Sequence, residues 1–380
     1  MNTKVVVVQR RLTHYRVAFF ESLRSQFAVR NIELVLAVGM GTDEEQRKND
    51  GAQIPWALQL PTSYFWGGRI CYQPLQSACQ GADMLVITLE NKLVCNLWHQ
   101  FAAVPYKVAL WGHGANLQGK ATSLREKFKR RVARRADWWF GYTEHSRPLI
   151  AQTGFPDSRV TVLNNAVDTT EMRQQFDSIT PAELADWRVS QGLEAGPIGI
   201  FLGSLYEEKR IDFLLAAATV LREKIPDFQL LLVGAGPLKA MVEAFCAAHP
   251  WAHFAGMLKG KEKVLALASA TVMLNPGLVG LGILDSFVCE VPMVTTDCGL
   301  HSPEIVYLRS GSNGLMTENT LDAYVHECLG LFGDAGRLRA MKSACKSSGS
   351  QYTVENMATN FADGVERCLQ SAGYRAQALP

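Results

Sequence analysis

Short runs of β-branched and other apolar residues recur along the chain, separated by longer stretches whose apolar positions fall at helical spacing. In the first half the runs are Lys4–Gln9, Ile32–Val38, Met84–Thr88, Tyr106–Gly112, Asp137–Thr143 and Val160–Asn165. In the second half they are Ile198–Gly203, Phe228–Gly234, Ala252–Gly256, Thr271–Asn275 and Pro292–Thr296, with helices expected over Ile211–Glu223 and Pro237–Ala248. Strands that are nearly continuous apolar runs, alternating with helices, belong to parallel sheets covered on both faces. Two such series predict an α/β protein of two Rossmann-like domains facing across a cleft. The expected boundaries are 1–185 and 190–355, followed by a C-terminal helical segment over 356–380 that crosses back to the first domain. The polar stretch Thr169–Pro197 reads as the linker region. Ligands of such sheets bind beyond the carboxyl ends of the strands, which makes the cleft the natural site.

Composition narrows this picture. A chain of 380 residues with 48% hydrophobic and 19% charged positions can bury two sizeable cores without staples. A formal charge of +2 argues against a nucleic-acid binder, which usually carries a strong basic excess. Nine cysteines, scattered from Cys71 to Cys368 without a C-x-x-C pair, fit reduced thiols rather than a disulfide or zinc framework. The start holds only four consecutive valines before charged residues, unlike a secretory signal, and no apolar run approaches the ~20 residues of a membrane span. A cytoplasmic location is expected. The segment Lys120–Trp139, with eight Lys or Arg against two acids, leaves two readings open. It is either a solvated helix whose Phe128 and Val132 face the core, or a peripheral contact with anionic lipid at the inner face of the plasma membrane, at about 1 kcal/mol per basic side chain.

Three turns in the second half carry the candidate chemistry. After the run ending at Gly203 comes Ser204-Leu-Tyr-Glu-Glu-Lys209-Arg210. The glycine permits close backbone approach to a ligand, and Lys209 can set a point charge on a phosphate. Gly234-Ala-Gly236-Pro237 makes a second turn, where a purely structural role is the stronger reading. The third is Asn275-Pro-Gly-Leu-Val-Gly280-Leu281, which feeds a helix carrying Asp285 near its start. Backbone amides at such a turn attract anions, whereas a carboxylate one turn in suits sugar hydroxyls or simply offsets the helix dipole. A nucleotide diphosphate on the turn, with its ribose on Asp285, satisfies both.

These segments together resemble the group-1 (family 4) retaining glycosyltransferases of GT-B fold. The matching stretches are GSLYEEKRID, LLVGAGPL, NPGLVGLGILDSFVCEVPMVTT and Pro303–Met316, with LWGHGAN, FGYTEHS and VLNNAVDT in the same order in the first half. The resemblance implies a donor diphosphate held by an Arg and a Lys after the first strand of the second domain. Lys209 stands at the Lys position and Ser204 at the Arg position, so one cation is missing unless Arg210 swings in. Of the family's two glutamates, which have seven residues between them, Gly277 stands where the first is expected and Asp285 at the second. A variant branch with P-G-x-V-G-L at this turn fits better. There the amides near Gly280 and Leu281 hold phosphate and Asp285 holds ribose. The resemblance also implies a role for His113, just past a strand end, near the transferring sugar. It suggests His14, Tyr15 and Arg16 for acceptor contact.

The expected activity is retaining transfer of a sugar from a nucleotide-diphosphate donor to a glycan or lipid-linked acceptor, in cell-surface polysaccharide synthesis. Absence of any D-x-D removes the usual carboxylate pair for a metal-bound diphosphate, so no metal or other cofactor is expected. Lys209 and the turn amides would stabilise the leaving group, with His113 positioning or polarising the sugar. Two alternatives stand beside this: a sugar-nucleotide epimerase of similar fold, and a non-catalytic partner subunit. A dehydrogenase is disfavoured because no G-x-G-x-x-G follows the first strand of either half.

Overall fold

The computed structural model of the chain describes residues 3–47, 50–114 and 124–375. It forms two compact units, Met1–Asp168 together with Val354–Pro380, and Thr169–Thr353.

The first unit is built on seven parallel strands: β1 (Thr3–Gln9), β2 (Ile32–Val38), β3 (Leu58–Gln59), β6 (Met84–Thr88), β7 (Lys107–Gly112), β8 (Trp138–Gly141) and β9 (Val160–Val162). Their spatial order is β3-β2-β1-β6-β7-β8-β9. A separate antiparallel hairpin, β4 (Ser63–Phe65) and β5 (Ile70–Tyr72), lies between β3 and β6 in sequence. Val5 to Val8 are almost wholly buried because β1 sits inside the sheet with helices on both faces. The short strands β3, β4 and β5 escaped the sequence reading, since their exposed or alternating residues give no apolar run.

The C-terminal helix Val354–Gln370 packs in the first unit, against the helix Val17–Ala28. Phe361 stacks on Phe140 with ring centroids 4.3 Å apart and also meets Phe19 and Trp111. Gly364 makes this possible: a Cβ there would lie 2.5 Å from Phe140 Cε1 and 2.6 Å from Thr161 Oγ1. Truncating a ring such as Phe361 in so closed a core costs about 3–5 kcal/mol.

The second unit carries six parallel strands: β10 (Ile198–Leu202), β11 (Gln229–Val233), β12 (Ala252–Gly256), β13 (Val272–Leu274), β14 (Met293–Thr296) and β15 (Gly314–Thr317). Their order is β12-β11-β10-β13-β14-β15. The boundary falls at Asp168/Thr169, earlier than residue 185, and the expected linker is largely helical. Helices Thr170–Asp177 and Pro181–Ser190 belong to the second unit. Thr180 caps the latter, its Oγ1 accepting from the Glu183 amide at 3.2 Å, with Pro181 at the first helical position. Arg173 anchors the former by donating to the Val288 carbonyl and to Glu290 at 3.0 Å each.

Each sheet has one place where the strand order reverses direction: between β1 and β6 in the first unit, and between β10 and β13 in the second. The loops leaving the carboxyl ends of such a pair diverge and leave a crevice for a ligand.

Candidate functional site

In the second unit the crevice is formed by the loop after β10 and the turn after β13, which are locked together. The Leu278 amide donates to the Glu208 carbonyl at 2.8 Å, and the Lys209 ammonium donates to the Leu278 carbonyl. Gly277 lies hard against the other loop, where a Cβ would be 2.3 Å from Glu208 O and 2.5 Å from Lys209 C. No side chain fits at this position with this backbone. That is the physical reason the first of the two expected acids is a glycine here.

Lys209 is half-buried, and burial pulls its pKa down to about 8. Among the described residues no carboxylate lies within ion-pair distance of it; its contacts are the Leu278 carbonyl and the Tyr206 ring at 5.9 Å. Ser204 is exposed beside it, two residues beyond the end of β10. Arg210 does not take the missing cation's place. Its guanidinium donates to Thr296 Oγ1 at 3.0 Å and to Asn319 Oδ1, and stacks over Phe213 at 4.3 Å, so it is committed to the end of β14. Its backbone, at φ 55°, turns the chain from the loop into the helix Ile211–Lys224.

The glycines of the second turn serve packing. A Cβ on Gly234 would be 1.9 Å from Gly203 O, and one on Gly236 would be 2.4 Å from Leu205 O. Both have positive φ, 152° and 155°, and both let this turn press against the loop that starts at Gly203.

The helix Gly282–Val288 begins one residue after Leu281. Asp285 is drawn into an ion pair with Lys263 of the helix Gly260–Ser269, at 2.8 Å. Burial raises the Asp285 pKa, and the Lys263 charge pulls the other way. The acid is therefore one half of a half-buried pair, and Lys263 was absent from the sequence expectations because nothing in its local pattern points across to the helix of Asp285.

His301 was also missed. Its Nδ1 accepts from the Val279 amide at 3.1 Å, and its Nε2 lies 2.8 Å from the Thr296 carbonyl. An amide can only donate and a carbonyl only accept, so the ring is the neutral Nε2–H tautomer. Burial, the first cause, lowers its pKa and favours that form. His301 thus ties the glycine turn to the end of β14, and Ser302 adds a second tie by donating its amide to Val279 O at 2.9 Å. Only the histidine itself, two residues before Pro303, could have signalled this in the sequence.

In the first unit His113 is exposed just past β7, and its ring meets Tyr142 edge-on at 4.3 Å. Arg16 is not a surface residue. At 6% exposure its guanidinium packs over Tyr15, Trp111 and Tyr142 at 5.3–5.4 Å, so it shares Tyr142 with His113. Tyr15 is 40% exposed, and His14 is exposed with Nδ1 3.3 Å from Asp50 O. The basic segment falls partly outside the described residues; its visible helix, Leu124–Arg134, buries Val132 but leaves Phe128 exposed, contrary to the expectation that both face the core. All nine cysteines are free thiols. No described helix is long and apolar enough to cross a membrane, and no described group of three or more His, Cys, Asp or Glu is placed to share a metal ion.

Two parallel sheets of this kind, each with a reversal in its strand order, define the class: the chain has the GT-B glycosyltransferase fold. It superposes on a glycosyltransferase from Rickettsia africae with a TM-score of 0.70 at 12% identity, covering 98% of this chain and 100% of that one. Anabaena Alr3699/HepE in complex with UDP gives 0.68 at 13% identity, over 96% and 100%. Residues 196–334 match the family described as Glycosyl transferases group 1. A curated relative is the GDP-mannose-dependent alpha-(1-6)-phosphatidylinositol monomannoside mannosyltransferase of Mycolicibacterium smegmatis, 26% identical over 258 residues. The match spans 64% of either protein's length.

Proposed function

We propose that the chain is a retaining hexosyltransferase that moves a sugar from a nucleotide-diphosphate donor to a glycan or lipid-linked acceptor in cell-surface polysaccharide synthesis. One observation carries this reading: a half-buried Lys209 that, among the described residues, pairs with no carboxylate, set at the strand-order reversal of the second sheet against a glycine turn. A cation held there without a counter-charge is made for an anion that arrives with the ligand. The donor diphosphate lies on Lys209 and the turn at Gly203, Ser204, Gly280 and Leu281, with its ribose against the Asp285–Lys263 pair. Lys209 and the turn amides offset the charge that builds on the departing diphosphate, without a metal ion. His113 in the first unit orients the transferring sugar, and Lys209 in the second steadies the leaving group; these are the two catalytic residues of the reading. Among the acceptor candidates, His14 and Tyr15 are exposed to meet a substrate, while Arg16 acts from behind Tyr142. The exposed Phe128 among basic side chains supports peripheral contact with an anionic membrane, where a lipid-linked acceptor is within reach. The nucleotides named for similar proteins, GDP-mannose for the Mycolicibacterium relative and UDP for the Anabaena structure, support a nucleotide-sugar donor and leave the base open.

The test is a thermal-shift and calorimetric screen of UDP, GDP, ADP and their common sugars on wild type and Lys209→Ala. The expected result is stabilisation by one nucleotide, weakened in the variant. No response to any nucleotide at millimolar concentration overturns the reading.

A further inference from the structure

Val279 sits in the glycine turn and is fully buried, and the loop after β14 holds both of its backbone groups. His301 Nδ1 accepts from the Val279 amide at 3.1 Å, and the Ser302 amide donates to the Val279 carbonyl at 2.9 Å. On the other side of the ring, Nε2–H reaches the Thr296 carbonyl at 2.8 Å. The next two residues, Gly280 and Leu281, are those whose amides the proposed function gives to the donor diphosphate. Gly280 lies against the same loop, where a Cβ would be 3.4 Å from Ser302 Oγ. The shape of this turn is thus set partly from outside it, by a side chain twenty-two positions on.

The brace works in one protonation state only. A neutral imidazole offers one acceptor and one donor, which is what an amide on one side and a carbonyl on the other require. An imidazolium has two donors, so a proton on Nδ1 would set two N–H groups against each other. Because Val279 is buried, water does not readily replace the lost acceptor. The charged and titratable groups around the ring are Lys209 from the loop after β10, Asp297 just past β14, and the Cys298 thiol, its sulfur 3.6 Å from Nε2. The next acid along the chain is Glu304, itself buried. Burial, the largest influence, and the Lys209 ammonium disfavour the imidazolium, while the Thr296 carbonyl and the Asp297 carboxylate favour it. The balance leaves the ring pKa below its ordinary value of 6.5. As pH falls the unfolded chain takes this proton first, so the order that His301 imposes is full above 6.5 and is lost below it.

We infer that His301 is a positioning residue for the donor: neutral, it holds residues 279–281 in the shape that receives the diphosphate, and protonated, it releases them. The inference rests on the reading of the second unit as a nucleotide-sugar site. It adds an acid limit to donor binding, which Lys209, charged throughout that range, would not produce.

Two measurements test it on the full chain. NMR with labelled histidine ring nitrogens, assigned by His301→Asn, reads the ring directly and needs no ligand. The expected result is a neutral ring at pH 7.5 protonated on Nε2, whose titration goes with loss of hydrogen-exchange protection at the Val279 amide, corrected for the intrinsic rate. A charged ring at pH 7.5, an Nδ1–H tautomer, or protection indifferent to the titration overturns the brace. Calorimetric titration with UDP-glucose, GDP-mannose and ADP-glucose from pH 7.5 to 5 reads the consequence, since the bridged diphosphate keeps its charge over that range. The donor that binds wild type should bind about fivefold or more weakly at pH 5. His301→Asn, whose Oδ1 accepts at any pH, should stay within about threefold of wild type at pH 7.5 and lose the acid fall. His301→Phe, which cannot accept, should bind about tenfold more weakly throughout. An acid fall that survives in His301→Asn, or wild-type affinity in His301→Phe, overturns the positioning role. A wild type that binds none of the donors overturns the donor reading and this role with it, whereas binding without the acid fall overturns this role alone.

Discussion

The loop after β1 and the loop after β10 occupy equivalent places in their two sheets, each at a reversal of strand order, and they treat cations in opposite ways. In the first unit Arg10 and Arg11 are charge-paired with Glu45 and Asp50, and Glu90 approaches Arg10 Nε at 3.6 Å. In the second, the Lys209 ammonium donates to the Leu278 carbonyl and lies near the Tyr206 ring, and among the described residues no carboxylate pairs with it. A charge-paired guanidinium presents geometry with its charge offset; an ammonium without a paired carboxylate presents charge that a ligand can complete. On the proposed function, the position in the second unit is the one left open to an anionic ligand.

The largest effect is expected from Gly277→Ala. Its methyl group would lie 2.3 Å from the Glu208 carbonyl, so the two loops must separate. Overpacking of this kind costs about 1–3 kcal/mol. We expect a lower melting temperature together with loss of nucleotide binding in a calorimetric titration. Wild-type affinity in this variant would mean that the interlock of the loops is irrelevant to the anion.

Next is the pH dependence of Lys209. Its folded pKa of about 8 lies below its ordinary value of 10.5, so the folded protein sheds this proton earlier than the unfolded chain does. The burden of burying the charge is present below pH 8 and is relieved as pH rises above it, while the charge available to a diphosphate disappears over the same range. Nucleotide affinity should fall by up to about tenfold per unit above pH 8. Lys209→Arg, which keeps its charge, should flatten the profile. An affinity independent of pH from 7 to 9.5 in the wild type would contradict this.

Glu45→Gln attacks the other side of the comparison. It leaves Arg10, with only 13% of its side chain exposed, without its main counter-charge. The expected outcome is a less stable first unit that now responds to inorganic phosphate in a thermal-shift titration, as the wild-type first unit does not. Because the folded Glu45 pKa is depressed to about 2, its contribution is fully present above its ordinary value of 4.5 and is lost as pH falls from there toward 2. The variant should therefore lose less stability than wild type across that acid range.

The smallest effect belongs to Asp285→Asn. On the proposed ribose contact, hydrogen bonding would survive in part through the amide, so affinity for the preferred nucleotide should drop only about threefold to tenfold, in line with a loss near 1 kcal/mol. Pyrophosphate, which has no ribose, should bind wild type and variant alike. Equal losses for both ligands would assign Asp285 to the turn's structure instead.

Much of this was legible in the residues themselves. Apolar runs such as Val5–Val8 and Leu230–Leu232 revealed buried parallel strands because burial on both faces leaves no room for polar alternation. The P-G-x-V-G-L turn, Lys209 and the acid at 285 were visible as a set because strand, glycine turn and helix start follow one another within a few residues. The helices at 170–190 were missed although Thr180-Pro-Ala-Glu183 spells a helix start, because polar composition outweighed the cap.

The sequence by itself determined the two sheets, the return of the C-terminal helix as an expectation, and the identity of the glycine turn, since each follows from local periodicity and from what a residue without a Cβ permits. Tertiary structure alone decided the partners. Whether Lys209 or Arg210 stays free for a ligand, that Lys263 reaches Asp285, and that His301 braces Val279 from twenty-two positions away all depend on which strand ends the fold brings side by side. Charge pairing acts through distances of about 3–4 Å, and a linear pattern of residues carries no such distances between segments that only meet once the sheet has formed.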